Sequence, residues 1–180
     1  IEGTDFTGSL IVGHSTTGTL SSAEYNTGIG ISALDALTSG DENVAIGYNS
    51  ATALTSGASN TILGANAAAA LTTGADNVAI GAYALKTEDD HGFNVAIGYS
   101  ALEMLNAGAN AYNIGVGYKA GEAMTTGVRN ALMGGLAGDA LTTGSYNVAI
   151  GHSALTSEDT GSNNVAIGYE ALHTQNYDGY

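Results

Sequence analysis

Histidine and clustered carboxylates are the side chains of this sequence from which a catalytic or metal-binding site could be built. The histidines are His14, His91, His152 and His173, and no cysteine is present. Acidic side chains are grouped at 41–42, 88–90 and 158–159, and Gln175 with Asp178 forms a further polar turn. Ca²⁺ prefers clustered carboxylate and carbonyl oxygens. Because these groups match neither an EF-hand loop nor a glycine-aspartate nonapeptide, solvated acidic turns are the favoured interpretation, with calcium binding as the alternative.

Nucleophilic and nucleotide-dependent chemistry have no matching motif here. The sequence contains no Gly-x-Ser-x-Gly, no P-loop and no dinucleotide fingerprint in a strand–helix setting. His14 and His152 occupy a repeat position where tyrosine also stands, which is typical of a surface aromatic position. We therefore expect that the protein is not an enzyme and has no catalytic residue, no cofactor and no metal ligand.

The charge balance narrows the possible partners. Three Lys and Arg residues stand against seventeen Asp and Glu residues, which gives a formal net charge of −14. Such a surface repels phosphate and anionic lipid, so we expect no nucleic-acid partner. A membrane span needs about 18 consecutive apolar residues, and no such run exists, so no membrane insertion is expected.

These side chains are carried by an array of repeats. Asn-Val-Ala-Ile-Gly begins at residues 43, 77, 94, 147 and 164, weaker copies begin at 26, 60, 113 and 130, and a degenerate copy begins at Ser9. The interval is 17 residues, except for 19 between Asn94 and Asn113, which places a two-residue insertion near 109–112. A strict period predicts stacked coils. We expect a lead-in or partial repeat at 1–8 and one solenoid of about ten coils at 9–180; positions in a coil are counted from its asparagine as 0.

Each repeat begins with a short strand pattern. Positions +1 and +3 carry large aliphatic residues such as Val44 and Ile46, while +2 and +4 carry small ones such as Ala45 and Gly47. Side chains alternate along a strand, so the large residues share one side, which we predict to be the core. Small residues permit close backbone approach, so we predict that a second chain packs on the other side, with a thin, solvent-facing surface as the alternative.

The segment after each strand predicts a short helical piece. Runs such as 32–37 and 100–105 read Ser-Ala-Leu-x-x-Leu, which fits one to two helical turns after a serine cap, and a glycine usually follows as a stop. The expected fold is a repeat solenoid of mainly parallel β structure, similar to a β-roll or β-helix. It has a short helical or 3₁₀ turn in each 17-residue coil and associates as a homotrimeric fibre.

Two columns of equivalent residues are candidate functional features. Stacked asparagines can hydrogen-bond along a stack, so we predict a structural ladder of Asn26, Asn43, Asn60, Asn77, Asn94, Asn113, Asn130, Asn147 and Asn164. Tyrosine recurs at position +5, and a ring with a polar tip can stack on a sugar, so a surface aromatic strip is possible at Tyr48, Tyr99, Tyr118 and Tyr169. Partly buried rings between coils are the alternative for that strip.

The run Asn-Val-Ala-Ile-Gly-Tyr, followed by Ala-Leu-x-x-Leu-Thr-Thr-Gly, resembles repeats in tail-fibre-like proteins of bacteriophages. Its Ala-Ile-Gly core is also similar to head repeats of trimeric autotransporter adhesins, whose unit is shorter. The resemblance covers residues 9–180 and implies a homotrimeric extracellular fibre, in a virion tail or at a bacterial surface, that contacts a host-surface glycan or protein receptor. In phage fibres such arrays often precede a self-cleaving chaperone domain; together with Ile1 in place of Met, this favours a fragment or processed product.

We predict a structural shaft or adhesive segment of such a fibre, with mechanical spacing as its task. One alternative is a self-assembling extracellular filament subunit. Another is a stand-alone carbohydrate- or ice-binding solenoid, the latter because Thr or Ser pairs recur at positions +12 and +13, as at 55–56 and 72–73.

Overall fold

The computed structural model describes residues 8–13, 22–157 and 159–174. His14, Glu158, Gln175 and Asp178, which the sequence marks as candidates, lie outside the described residues, as does most of the expected lead-in. Within the described ranges the chain is a parallel β-solenoid of about nine turns. The strands are β1 (Leu10–Val12), β2 (Thr27–Ile29), β3 (Val44–Ile46), β4 (Thr61–Leu63), β5 (Val78–Ile80), β6 (Val95–Ile97), β7 (Ile114–Val116), β8 (Ala131–Met133), β9 (Val148–Ile150) and β10 (Val165–Ile167).

The ten strands form one parallel sheet in chain order. Equivalent residues pair across each step, so Val44 lies beside Thr61 and Ile46 beside Leu63. The 19-residue coil keeps this register, because Val95 still pairs with Ile114 and the extra length lies in the exposed turn 108–110. The predicted stacking of equivalent residues is therefore confirmed.

The side of each strand that faces the interior is the opposite of the one that the sequence predicted. Ala45 at position +2 is fully buried, whereas Val44 beside it is 36% exposed. Large residues also occur at +2, as Ile62 and Leu132, and these too are fully buried. The prediction that +1 and +3 form the core is wrong, and so is the prediction that a second chain packs on the small side, because that side faces the interior of the coil.

The small residues are needed because leucines from the opposite wall fill the narrow interior. A Cβ on Gly115 would lie 2.7 Å from Leu102 Cγ, and one on Gly138 would lie 3.0 Å from Leu132 Cδ2. In most coils size at +2 is therefore balanced by size at +8: Ala79 and Ala96 stand opposite Leu85 and Leu102, whereas Ile62 and Leu132 stand opposite Ala68 and Gly138. The coils beginning at 43 and 113 carry a small residue at both positions.

The predicted helical piece is wrong, since the described residues contain no helix. The turn after β3 instead alternates backbone hand, with φ of 53° at Asn49 and 49° at Ala51. Its amides bond to the neighbouring coil, as Ala51 N–H does to the Ala67 carbonyl at 3.0 Å. Packed helices need about 8–10 Å, while coils joined by a parallel sheet are about 4.8 Å apart, so a helix in every coil does not fit.

Position +4 is glycine because the next coil leaves no room for a side chain. Gly47 has φ of +138°, and a Cβ there would lie 2.6 Å from the carbonyl oxygen of Gly64. The conformation and the contact both recur at the same position of the following coils, as at Gly64 and Gly81.

The size balance between +2 and +8 predicts a coupled pair of substitutions. Ala79→Ile overpacks the interior and should destabilise by about 1–3 kcal/mol, and Leu85→Ala should cost about 2–5 kcal/mol through a cavity. The double variant reproduces the natural pair Ile62 and Ala68, so its cost should fall below the sum by about 0.5–3 kcal/mol. Denaturant unfolding measures these values.

The control for this cycle combines Ala79→Ile with Leu141→Ala, which lies several coils away. Those two costs should add. Equal additivity in both cycles would show that positions +2 and +8 do not share one space.

Candidate functional site

The outward side of the sheet is a mainly aliphatic surface, with threonine at position +1 in β2 and β4. We call the exposed side chains at positions +1 and +3 of β1 to β10 the apolar face. Its exposed fractions are 41% at Ile29, 44% at Leu63 and Met133, and 39% at Ile150. They rise to 65% at Val165 and Ile167 on β10, which pairs only with β9. The alternation that buries alanine thus leaves the largest β-branched residues in solvent.

One border of the apolar face carries the predicted tyrosine strip. The side chains are exposed, at 54% for Tyr48, 47% for Tyr99, 54% for Tyr118 and 74% for Tyr169. Tyr99 and Tyr118 stack with centroids 5.7 Å apart and planes 17° apart, and His152 stacks on Tyr169 at 5.8 Å and 18°. Ala65, Ala82 and Gly135 interrupt the column, so it consists of two stacked pairs and the separate Tyr48.

The opposite border carries a second ring column that the sequence analysis missed. It lies at position −1, the residue before each asparagine. Phe93 and Tyr112 stack at 5.0 Å and 11°, and the Arg129 guanidinium lies 5.8 Å from the Tyr112 ring and 5.5 Å from the Tyr146 ring. Arg129 Nη1 also donates to the Tyr146 hydroxyl at 2.8 Å. Position −1 recurs at the same repeat interval as position +5, so the sequence contained the signal that identifies this column.

Position −1 is conformationally unfavourable for such side chains. Phe93, Tyr112, Arg129 and Tyr146 all have φ between 53° and 63°. Bulky residues are uncommon in this left-handed region, which favours glycine and asparagine. Asn163 occupies the same position and conformation in a later coil. The conformation also recurs at −1 in coils without a ring, as at Ser59, so it is imposed by the coil and not by the rings.

The predicted asparagines lie in a buried column behind the strands. Asn60 is typical: its backbone N–H donates to Asn43 Oδ1 at 3.0 Å, its Nδ2 donates to the Gly74 carbonyl at 2.9 Å, and its Oδ1 accepts the Asn77 N–H at 3.0 Å. The backbone-to-side-chain bond recurs from Asn43 to Asn164, and Asn164 Nδ2 has no partner. These side chains satisfy buried backbone groups, so their role is structural.

The acidic turn 88–91 is the one described cluster with metal-ligand chemistry. Glu88 stands at position +11, where most other described coils carry buried leucine, and its side chain is fully buried. Its Oε1 lies 3.2 Å from His91 Nδ1, and its Oε2 accepts the Ala107 N–H at 3.3 Å. Asp90 Oδ1 lies 2.7 Å from the same His91 nitrogen. The cluster is therefore already paired within itself, and the calcium alternative gains no further support.

Burial raises the pKa of Glu88, and the hydrogen bonds from Ala107 and His91 offset part of that rise. The turn also lies against the insertion, because Gly92 N–H donates to Asn110 Oδ1 at 3.1 Å. The coil that replaces a core leucine with glutamate is thus followed by the coil whose extra residues supply hydrogen bonds to that turn.

The remaining candidates form no catalytic arrangement in the described part of the chain. Ser153 Oγ lies 3.0 Å from His152 Nδ1, but the two are sequence neighbours, and no described carboxylate contacts that histidine. The threonine hydroxyls at +12 bond to the next coil, as Thr55 Oγ1 does to the Thr72 carbonyl at 3.1 Å. They are therefore used inside the stack instead of forming a free array on the surface.

No protein-family model, curated protein or solved structure matches the chain. Among the described residues there is also no helix long and apolar enough to cross a bilayer.

Because Asn60 bonds to both neighbouring coils, its substitution should lower the free energy of unfolding, by an amount that depends on whether an acceptor oxygen remains. Asn60→Ala leaves the Gly74 carbonyl and the Asn77 N–H unpaired in the interior and should destabilise by about 2–4 kcal/mol. Asn60→Ser should cost less, because Ser9 Oγ already accepts the Asn26 N–H at 2.8 Å at the equivalent place. Unfolding free energies of the two variants test this, and equal costs would contradict the acceptor role.

The buried carboxyl group of Glu88 should make the free energy of unfolding depend on pH. Its folded pKa lies above the ordinary value of 4.5, so the folded state holds the proton over a pH range where the unfolded chain has lost it. Stability should therefore fall as pH rises from 4.5 through the raised pKa. A tenfold change in proton affinity corresponds to about 1.4 kcal/mol in the free energy of unfolding. Glu88→Gln should remove this loss, so that the variant gains on the wild type between pH 4 and pH 8.

The control for Glu88 is Glu42→Gln, which removes an exposed acid and changes the net charge equally. Its stability difference from the wild type should change little over the same range. A constant difference for Glu88→Gln would contradict the effect of burial on this carboxyl group.

Proposed function

We propose that this chain is a shaft segment of an extracellular homotrimeric fibre, of the phage-tail or bacterial-surface type that its repeats resemble. Its task in this proposal is mechanical: it spans distance and holds a receptor-binding part away from the particle or cell. Contact with a host-surface glycan or protein is a secondary task, in which three copies multiply weak contacts through avidity.

The observation that carries the proposal is the apolar face. Nine steps of about 4.8 Å make it roughly 43 Å tall, and the two ring columns that border it are six residues apart in sequence, so the face together with these borders is at most about 20 Å wide. The product, on the order of 900 Å², is the upper limit for the face with its ring columns, against the few hundred Å² that monomeric soluble proteins usually expose in one patch. It is close to the roughly 800 Å² that each partner contributes to a standard interface. A face of this size, repeated without a break, is suited to permanent cover by copies of the same chain.

The rest of the structure suits a load-bearing rod. The asparagine column and the parallel sheet recur from coil to coil, so each coil-to-coil contact resists a force along the stack with a similar set of hydrogen bonds. The net charge of −14 keeps assembled particles apart and in solution.

A stand-alone carbohydrate-binding solenoid is the second candidate. The stacked exposed pairs Tyr99–Tyr118 and Phe93–Tyr112 favour it, because an aromatic face can stack on a sugar ring while its polar tip stays hydrated. In this alternative the chain is a monomer and both ring columns stay open to ligand. The oligomeric state therefore separates the two candidates.

Mass in solution tests the proposal. Light scattering should give three times 17.9 kDa for the wild type. Leu63→Arg combined with Met133→Arg places two buried charges in the chain contact and should reduce the mass to that of one chain. A wild-type monomer would contradict the trimeric shaft, and saturable binding to immobilised glycans by that monomer would support the second candidate.

The matched control places arginine in the same two coils but on the turn side. Thr73→Arg with Thr143→Arg changes the charge equally at exposed positions away from the apolar face. This variant should remain a trimer. Circular dichroism and thermal unfolding should show that both variants stay folded, and an unchanged mass for the variant on the apolar face would contradict the role of that face.

A further inference from the structure

The coil beginning at 130 has no ring at position +5, although the coils on both sides of it have one. Tyr118 and His152 stand at that position in the neighbouring coils, and Gly135 stands between them. The stack is continuous there, because Leu136 N–H donates to the Tyr118 carbonyl at 2.8 Å and Ser153 N–H donates to the Gly135 carbonyl at 2.9 Å. We call the space over Gly135, between the exposed rings of Tyr118 and His152, the ring slot.

The fold does not require glycine at position 135. Gly134 before it has φ of +136°, and a Cβ on Gly134 would overlap the carbonyl oxygen of Gly151. Gly135 has no left-handed φ, and a Cβ there would meet only the His152 ring, at 3.4 Å from Cδ2 and 3.9 Å from Nε2. These are ordinary contact distances, so a larger residue fits the backbone. Glycine here therefore leaves space open between the two rings.

The opposite border shows which group fits such a space. The same coil carries Arg129 at position −1, between Tyr112 and Tyr146, and its guanidinium carbon lies 5.8 Å and 5.5 Å from the two ring centroids. Rings two coils apart are separated by about 9.6 Å, so a planar cation midway lies about 4.8 Å from each, within the roughly 6 Å reach of a cation–π contact. The chain thus holds a guanidinium between rings on one border and leaves the equivalent place open on the other.

The charges beside the ring slot favour a cation. Positions +6 and +9 adjoin it along the turn, and in the coils beginning at 113, 130, 147 and 164 they carry three acids, Glu122, Asp139 and Glu170, and one cation, Lys119. The Lys119 ammonium is paired with Glu122 at 3.1 Å. Asp139 Oδ1 has no hydrogen-bond partner, and Glu170 N–H donates to the His152 carbonyl at 2.9 Å. A surplus of acid therefore borders the slot, in a chain whose net charge is −14.

We propose that the ring slot binds the guanidinium group of an arginine side chain presented by a partner protein. The proposal gives a chemistry to the receptor contact of the proposed function and rests on that function for its biological setting. Both walls and the floor of the slot belong to one chain, so the slot itself does not depend on the number of copies. Guanidinium suits it better than ammonium, because it is planar, weakly hydrated and stacks on ring faces. A neutral sugar ring makes no use of the surplus acid.

Titration with N-acetyl-arginine amide tests the ring slot, with nuclear magnetic resonance of the Gly135 amide and the His152 ring as the readout. Both signals should shift and saturate. N-acetyl-lysine amide has the same charge without a planar head group, so it should bind at least about fivefold more weakly. Equal binding of the two amides would show attraction by net charge alone and overturn the proposal. Saturable binding of galactose in place of the arginine amide would assign the slot to a sugar and also overturn it.

Gly135→Arg tests the site by filling it. The new side chain supplies a guanidinium from the chain itself, as Arg129 does on the other border, and should abolish the binding detected at His152. Tyr118→Leu is the second variant, in case the first does not fold. It removes one wall at an exposed position and should weaken binding at least about fivefold. Undiminished binding in a folded form of either variant would overturn the proposal.

The matched control is Ala82→Arg, which makes the same change of charge in the same column. Position 82 has a ring on one side only, since its neighbours in the column are Ala65 and Tyr99. This variant should bind the arginine amide within about twofold of the wild type. Loss of binding here as well would show that added positive charge, and not a filled slot, is responsible, which would overturn the proposal.

Light scattering separates failure of the slot from failure of the proposed function. A chain of trimeric mass that does not bind the arginine amide would overturn the ring slot and leave the shaft intact. A monomer that binds the amide at Gly135 and His152 would overturn the trimeric shaft and support the slot.

Discussion

The spacing between neighbouring coils governs every other feature of this fold. Parallel strands fix it at about 4.8 Å, and each remaining part of the coil must keep to the same rise. A helix is too wide for that rise, so the turn after each strand alternates left- and right-handed residues and directs its amides to the next coil. A side chain at position +4 is also too wide, so the carbonyl of Gly64 lies where a Cβ on Gly47 would point.

The same spacing makes the interior narrow and explains why the largest strand residues lie outside. Leucines from the turn, such as Leu85 and Leu102, fill the space behind the sheet, which leaves room only for alanine at Ala79 and Ala96. Because the interior is filled in this way, valine and isoleucine lie on the outward side of the sheet. In the proposed assembly this outward apolar surface supplies the driving force for association, so the packing of one chain and the proposed trimer have one origin.

Departures from the repeat are tolerated where a neighbouring coil compensates for them. Glu88 and His91 replace the usual leucine and glycine in one coil, and the next coil bonds to that turn through the Ala107 N–H before the insertion and the Asn110 side chain within it. The strands β6 and β7 remain in register across the insertion. The sheet and the asparagine column thus act as a fixed frame, and variation is confined to the turns.

The architecture could be predicted from the repeat interval, but the direction in which the strands face could not. The 17-residue interval predicts stacked coils, in-register strands and glycine columns, because identical residues at identical heights leave few other solutions. It also places the tyrosines at +5, and the same count marks the ring column at −1.

Alternation separates Val44 and Ile46 from Ala45 without saying which set meets the core, and residue size favoured the wrong one. That choice is made by the leucines of the opposite wall, whose volume sets the width of the interior. The helical prediction for the turn failed for a related reason: a local run such as Ser-Ala-Leu carries no information about the rise that a distant parallel sheet imposes on it.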